Sequence, residues 1–165
     1  MESEKKLPNT VTCRNVKSAC SDPLAMAKLA FFASVAAMFE PFLRNCQTAE
    51  PMIVFLYDDM TNMLRSVLQW FVKKPLIEAA RASATKLSKI DLQCADSIVV
   101  YKDVDIGVTA QKALASSKIS DLDKLDFRMN WIAFLKATAQ NIIEKSPLRY
   151  QMVWAVLCLI PSSIV

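Results

Sequence analysis

The chain of 165 residues contains no histidine and a single glycine, Gly107. Without histidine, Ser-His and Cys-His catalytic pairs cannot form, and zinc sites that combine histidine with cysteine or carboxylate are excluded. One glycine is too few for a phosphate-binding loop or a dinucleotide-binding fingerprint. These absences remove the commonest catalytic, zinc-binding and nucleotide-binding arrangements. Together with the acidic residues considered below, they lead us to expect no enzymatic activity, no catalytic residue, no metal site, no cofactor and no small-molecule substrate.

The cysteines also lack the pattern of a metal site or a disulfide framework. No two of them form a CxxC pair, and an odd count without a signal peptide argues against paired disulfides. These features predict a reducing, intracellular location, either nuclear or cytoplasmic. The five residues are Cys13, Cys20, Cys46, Cys94 and Cys158.

The composition predicts one folded domain of ordinary size. Hydrophobic residues make up 53% of the chain and charged residues 22%, which is the balance of a globular protein and not of a disordered one. We place a single helical domain at 11–160, after a polar segment at 1–10 and before a short divergent tail at 161–165. The net charge of +4 is spread along the chain, so it permits contact with DNA but does not indicate it.

Two apolar runs invite a membrane interpretation, and both are too short for it. Lys28 and Glu40 leave about eleven uncharged residues between them, against the ~20 that a spanning helix needs. The run that begins at Tyr150 is longer, but Pro161 interrupts it and it lacks a basic flank. We therefore expect no membrane role.

Proline and capping residues divide the chain into helices. The predicted fold is all-α, a multi-helix bundle with a short irregular or extended segment around residues 91–107, where Ile98 to Tyr101 favour strand. Pro41 predicts a kink or break near Met38–Glu40. The predicted helices cover Val11–Cys20, 23–46, 50–73, the stretch after Pro75, Val108–Ala115, 120–145 and 148–159.

An acidic pair, Asp58 and Asp59, lies within an otherwise apolar helical stretch. Adjacent carboxylates on a helix point about 100° apart, so they do not converge on one metal ion or one substrate atom. We interpret the pair as part of a solvated face whose opposite side is core. That opposite side consists of Leu56, Met60, Met63, Leu64, Val67, Leu68 and Phe71.

A second apolar stripe is predicted on the helix that Ser120 caps. The tryptophans lie among aliphatic residues on helices, which favours core packing over base stacking. The predicted stripe comprises Leu122, Leu125, Met129, Ile132, Leu135, Ala139, Ile142 and Ile143.

Several blocks of the sequence are similar to a known group of proteins. The segments "DPLAMAKLAFFASVAAMFEPFL", "YKDVDIGVTAQKAL" and "EKSPLRYQMVWAVLCL" resemble the helical region of hAT-type, mobile-element-derived transposase relatives of animals. The resemblance runs from about Lys5 to Leu159. In that family the region follows a ribonuclease-H-like catalytic core, and no residue here matches the first two acidic positions of that core. The chain departs from the family near Ile160, before the third acidic position of that core would be reached.

This resemblance implies a non-catalytic helical remnant of a transposase-like protein that acts as a protein-interaction or oligomerisation module. The alternative is an accessory DNA-binding module, and a third hypothesis, an enzyme using Asp58, Asp59 or Glu40, lacks converging carboxylates. A surface uncovered by a missing core stays apolar, so we expect self-association or an unknown protein partner. The candidate interaction surface is Met152, Val153, Trp154, Val156 and Leu157, with the helix around Phe31 and Phe32 as a second candidate.

Overall fold

The structure, a computed structural model, describes residues 10–47, 55–80, 83–117 and 119–150, together with residue 155. Within the four ranges it contains seven α-helices and no strand beyond an isolated bridge, which confirms the predicted all-α multi-helix bundle. The helices are α1 (Val11–Ser21), α2 (Ala25–Asn45), α3 (Leu56–Leu68), α4 (Lys74–Ala80), α5 (Ala84–Ser88), α6 (Val108–Ser116) and α7 (Asp121–Lys145).

Helix α3 lies at the centre of the hydrophobic core and packs against α2, α5 and α7. Its predicted apolar face is buried, with Leu64, Val67 and Leu68 fully inaccessible to solvent. The three- and four-residue spacing of these side chains places them on one side of the helix, which confirms the predicted face.

Helix α2 is continuous across Pro41, so of the predicted kink or break near Met38–Glu40 the break is wrong. A proline removes one backbone hydrogen bond and crowds the preceding turn. Met38 and Phe39 pack against the core before the proline, and Phe42 does so after it. We infer that this packing on both sides holds the helix together despite the lost hydrogen bond.

Helix α3 ends at Leu68, five residues before the predicted end at Lys73. The chain leaves the helix because its backbone pairs with a distant segment. The Lys73 amide donates to the Ser97 carbonyl at 3.0 Å, and the Val99 amide donates to the Phe71 carbonyl at 2.9 Å. This pairing is long-range, so the local sequence does not contain its signal.

The segment 91–107 is irregular, as predicted. It contains two 3₁₀ turns, Ala95–Ser97 and Tyr101–Asp103, and an isolated antiparallel bridge joins Ile98 to Val72. The stretch after Pro75, predicted as one helix, forms the two short helices α4 and α5.

Gly107 ends this segment and allows α6 to approach α2. Its φ of 80° with ψ of 145° is a conformation that side chains other than glycine rarely adopt. The Asp105 carboxylate accepts a hydrogen bond from the Gly107 amide at 2.8 Å. A Cβ atom at this position would lie 2.7 Å from the Ser34 hydroxyl oxygen on α2, so Ser34 or the backbone would have to move to admit any side chain.

Helix α7 begins as predicted, because the Ser120 hydroxyl accepts a hydrogen bond from the Asp123 amide at 3.1 Å. The C-terminal half of the predicted stripe is buried, including Leu135 and Ala139. Ser146 is the C-cap of α7, and its backbone amide donates a hydrogen bond to the Ile142 carbonyl at 3.0 Å.

The prediction for the N-terminal half of that stripe is wrong, because its residues are not the ones that are buried there. Leu122 is 68% exposed and Met129 is 42% exposed, whereas Phe127 and Trp131 are buried in their place. The aromatic rings displace the aliphatic residues because they pack against Phe31 of α2 or against each other, a tertiary contact that helical spacing does not reveal.

The predicted final helix falls largely outside the described residues. Its first residues belong to a 3₁₀ turn at Pro147–Arg149, and Ala155 is helical. The candidate interaction surface proposed from sequence also lies outside the described residues. It comprises Met152, Val153, Trp154, Val156 and Leu157.

Candidate interaction surface

Of the acidic residues considered for catalysis, Asp58 and Asp59 are neighbours on α3 and Glu40 lies on α2. Asp58 is exposed, and Asp59 accepts a hydrogen bond from the side-chain amide of Asn45 at 3.0 Å. Glu40 pairs with Arg44 at 2.7 Å. Within the described ranges, no group of three or more acidic or cysteine side chains is positioned to hold a metal ion. Asp59 and Glu40 thus make polar contacts at the surface, and Asp58 faces solvent.

The inner face of α2 is fixed by an aromatic cluster. The ring of Phe31 is fully buried and stacks on Trp131 of α7, with ring centroids 3.9 Å apart. Trp70 and Phe134 meet the same ring edge to face at 5.8 and 6.1 Å. Because rings in such geometry contribute both buried area and favourable electrostatics, α2 is anchored firmly on this side.

The outward face of α2 is apolar and lies in solvent. Met26 is 71% exposed, Leu29 is 64% exposed and Leu43 is 54% exposed. Three- and four-residue steps join these residues through exposed alanines, so they form one stripe opposite the aromatic cluster. We define the outward face of α2 as Met26, Leu29, Ala33, Ala36, Ala37, Glu40 and Leu43, with Phe32 at its edge.

Charged side chains stand near both ends of this stripe. At the N-terminal end, the Lys28 ammonium contacts the Asp22 carboxylate at 2.6 Å. This hydrogen bond, together with one from the Leu24 amide, lowers the pKa of Asp22 below its ordinary value. At the other end stands the Glu40–Arg44 pair. Between Lys28 and Glu40 the sequence has no charged residue.

Among the described residues, α2 is also the one helix that is long and apolar enough to cross a membrane, judged by length and composition alone. Its inner face, however, packs on α3, α6 and α7. A spanning position would require those contacts to open. The other described helices leave the outward side of α2 exposed.

An apolar groove of about 600 Å³ opens between the C-terminal ends of α2 and α7 and the start of α3. Phe42 and Leu56 line one wall, and Ile142 and Pro147 line the other. The groove adjoins the 3₁₀ turn at Pro147–Arg149, because Pro147 is one of its lining residues.

The cationic residues near the start of α7 have structural partners. The Arg128 guanidinium donates to the backbone carbonyls of Lys102 and Val104 at 2.7 and 3.2 Å. Lys124 contacts the Asp121 carboxylate at 3.3 Å. Arg128 thereby ties the irregular segment to α7, and these contacts account for both cations within the fold.

Comparisons with known protein families, with characterised proteins and with solved structures found no match to this chain. The outward face of α2 is thus identified from geometry. The helix around Phe31 and Phe32 is the second candidate surface predicted from sequence, but the sequence does not separate the covered side of this helix from its open side. Phe31 is in fact fully buried, so it is not part of an open surface.

Proposed function

We propose that this chain is a non-catalytic helical module for protein–protein interaction, acting through self-association or through another protein. One observation carries the proposal, namely the outward face of α2. A helix whose inner side is anchored in the core has no need of apolar residues on its solvent side for folding. An exposed apolar stripe with charged residues at its ends is typical of a surface that another chain covers.

The exposed side chains on this face are large enough for their burial by a partner to stabilise a complex. Burying a large apolar side chain fully contributes about 1.5–3 kcal/mol relative to leaving it in water. Met26, Leu29 and Leu43 each retain more than half of their exposed area in the folded chain. A partner that covered all three would gain several kcal/mol, before the entropic cost of association.

The origin of the module is part of the proposal. We propose that it derives from the helical region of a hAT-type transposase relative, on the basis of the sequence blocks quoted above. Genomic sequence upstream of the coding region tests this origin. An in-frame ribonuclease-H-like core carrying the two acidic blocks supports it, and upstream coding sequence of an unrelated domain contradicts it.

The interaction is tested by photo-crosslinking in cells. A benzophenone side chain replaces Leu29 in one variant and Leu43 in a second, because both positions lie on the outward face of α2. Irradiation should give discrete higher-mass adducts from both variants. Gln111, which is exposed on α6, is the matched control position. If the two α2 positions give no more adduct than Gln111, the proposed surface is wrong.

The surface predicted from sequence needs a test of its own. Light scattering on the purified chain, compared with a variant carrying Val153→Lys and Trp154→Lys, measures whether those residues drive association. A lower apparent mass for the double variant supports a role for them. An unchanged mass, with wild type above the monomer, assigns association to another surface such as the outward face of α2.

A further inference from the structure

We infer that the partner of the outward face of α2 is the same face of a second copy, with the two helices crossing antiparallel. This inference rests on the proposed function, because it names the occupant of that surface. It commits to a symmetric dimer in which each copy contributes the same residues.

The distribution of side-chain size along the face favours a second copy. Large residues stand at the two ends, with Met26 and Leu29 near the start of α2 and Leu43 near its end. Between them the face has the small residues Ala33, Ala36 and Ala37, together with the longer Glu40 and, at its edge, Phe32. In an antiparallel crossing, Met26 of one copy meets Leu43 of the other, and the alanines meet at the centre. Small residues at the crossing let the two backbones approach closely, and the large residues then close the gap at both ends.

Charge complementarity selects the antiparallel orientation. Lys28 lies next to Phe32 at the edge of the face and pairs with Asp22, and its side chain is 46% exposed. Glu40 lies on the face and pairs with Arg44, and its side chain is 62% exposed. Antiparallel crossing brings Lys28 of each copy beside Glu40 of the other, so opposite charges meet twice. It also places the start of each helix near the end of its partner, which aligns the two helix dipoles favourably. A parallel pair would set like charges against each other.

The length of the face sets the expected strength. From Met26 to Leu43 an α-helix rises roughly 26 Å at ~1.5 Å per residue. One helix pair of that length covers less than the ~800 Å² per partner of a standard stable interface. The dimer should therefore be weak, with a Kd of the order of 10 µM.

The test is sedimentation velocity on the full chain from 1 to 500 µM, with four samples compared. Lys28→Glu alone and Glu40→Lys alone each turn both charge contacts repulsive, and each should raise the Kd about tenfold. An equimolar mixture of the two variants restores both attractions and should dimerise like the wild type. Lys112→Glu with Glu144→Lys, at exposed positions on α6 and α7, is the matched control and should leave the Kd unchanged.

A second variant tests the crossing itself. Ala33→Glu combined with Ala36→Glu places four carboxylates at the centre of the pair and should abolish dimerisation up to 500 µM. Circular dichroism checks that this variant keeps the helical content of the wild type, since both positions are exposed.

The outcomes separate this inference from the proposed function. A monomeric wild type at every concentration overturns the inference, whether residues 151–165 or another protein covers the face. If photo-crosslinking at Leu29 then still captures another protein, the proposed function stands. If the wild type dimerises but none of the α2 variants changes its Kd, the antiparallel pairing is wrong. It is also wrong if the equimolar mixture of Lys28→Glu and Glu40→Lys does not restore dimerisation.

Discussion

Replacing Phe31 by alanine should destabilise the fold severely, whereas the same change at the neighbouring Phe32 should cost little. The two residues are adjacent, yet Phe31 is fully buried and Phe32 is 48% exposed. Truncating a buried phenylalanine costs about 3–5 kcal/mol, since contacts are lost and a cavity remains. We expect the upper part of that range because the ring of Phe31 meets four other rings.

Phe32 meets Trp131, Phe134 and Phe31 edge to face, at centroid distances of 5.0, 5.6 and 6.1 Å. With about half of its area in water already, its truncation should cost about 1 kcal/mol. Urea denaturation followed by circular dichroism measures both values. Because the total stability of a domain is about 5–15 kcal/mol, Phe31→Leu serves as a milder variant if Phe31→Ala does not fold.

The comparison has a clear point of failure. Equal losses at the two positions, or a larger loss at Phe32, would show that α2 is rotated about its axis relative to the arrangement described. The outward face of α2 would then be misassigned, and both the proposed interaction surface and the proposed dimer would be wrong.

Three further predictions concern other parts of the fold. Leu135→Ala should lower the free energy of unfolding by about 2–5 kcal/mol, while Leu122→Ala should change it by less than about 0.5 kcal/mol, and similar losses in urea denaturation would contradict the assignment of the α7 face. Gly107→Ala should lower the free energy of unfolding by about 2–3 kcal/mol, because the backbone conformation there disfavours alanine and the added methyl group would crowd Ser34. An unchanged free energy in the same assay would mean that the segment can shift. Asp22→Asn should destabilise the chain at pH 7, because a lowered pKa means that the ionised carboxylate is favoured in the folded state. The difference from wild type should persist down to about pH 5 and shrink as the pH falls below the ordinary aspartate value of about 3.9, and a difference independent of pH between 2 and 7 in thermal unfolding would refute this account.

The sequence predicted the elements of this fold better than their faces. Helix α3 was predictable because its polar and apolar residues separate cleanly around the axis, as Asp58 and Leu64 illustrate. In α2 that contrast is missing, since Phe31 and Leu29 are equally apolar and only tertiary packing decides which is covered. At the start of α7 two apolar stripes compete, and the aromatic one is buried because it meets Phe31.

The boundaries that depend on distant residues were the least predictable. Helix α3 stops at Leu68 because the next residues pair with the segment around Val99. Likewise, α2 survives Pro41 through packing on both sides of the proline. The candidate site shows the same limit, because the apolar character of α2 was evident while its open side depends on where α7 lies.

The stacking of Phe31 on Trp131 joins residues that are one hundred positions apart in the chain. During synthesis, at about 5–20 residues per second, roughly 5–20 seconds separate the appearance of the two rings. Throughout that interval the nascent chain carries a complete α2 whose inner side still lacks its contacts with α7. We therefore expect the nascent chain to expose apolar surface of α2 that chaperones can bind until α7 has left the ribosome.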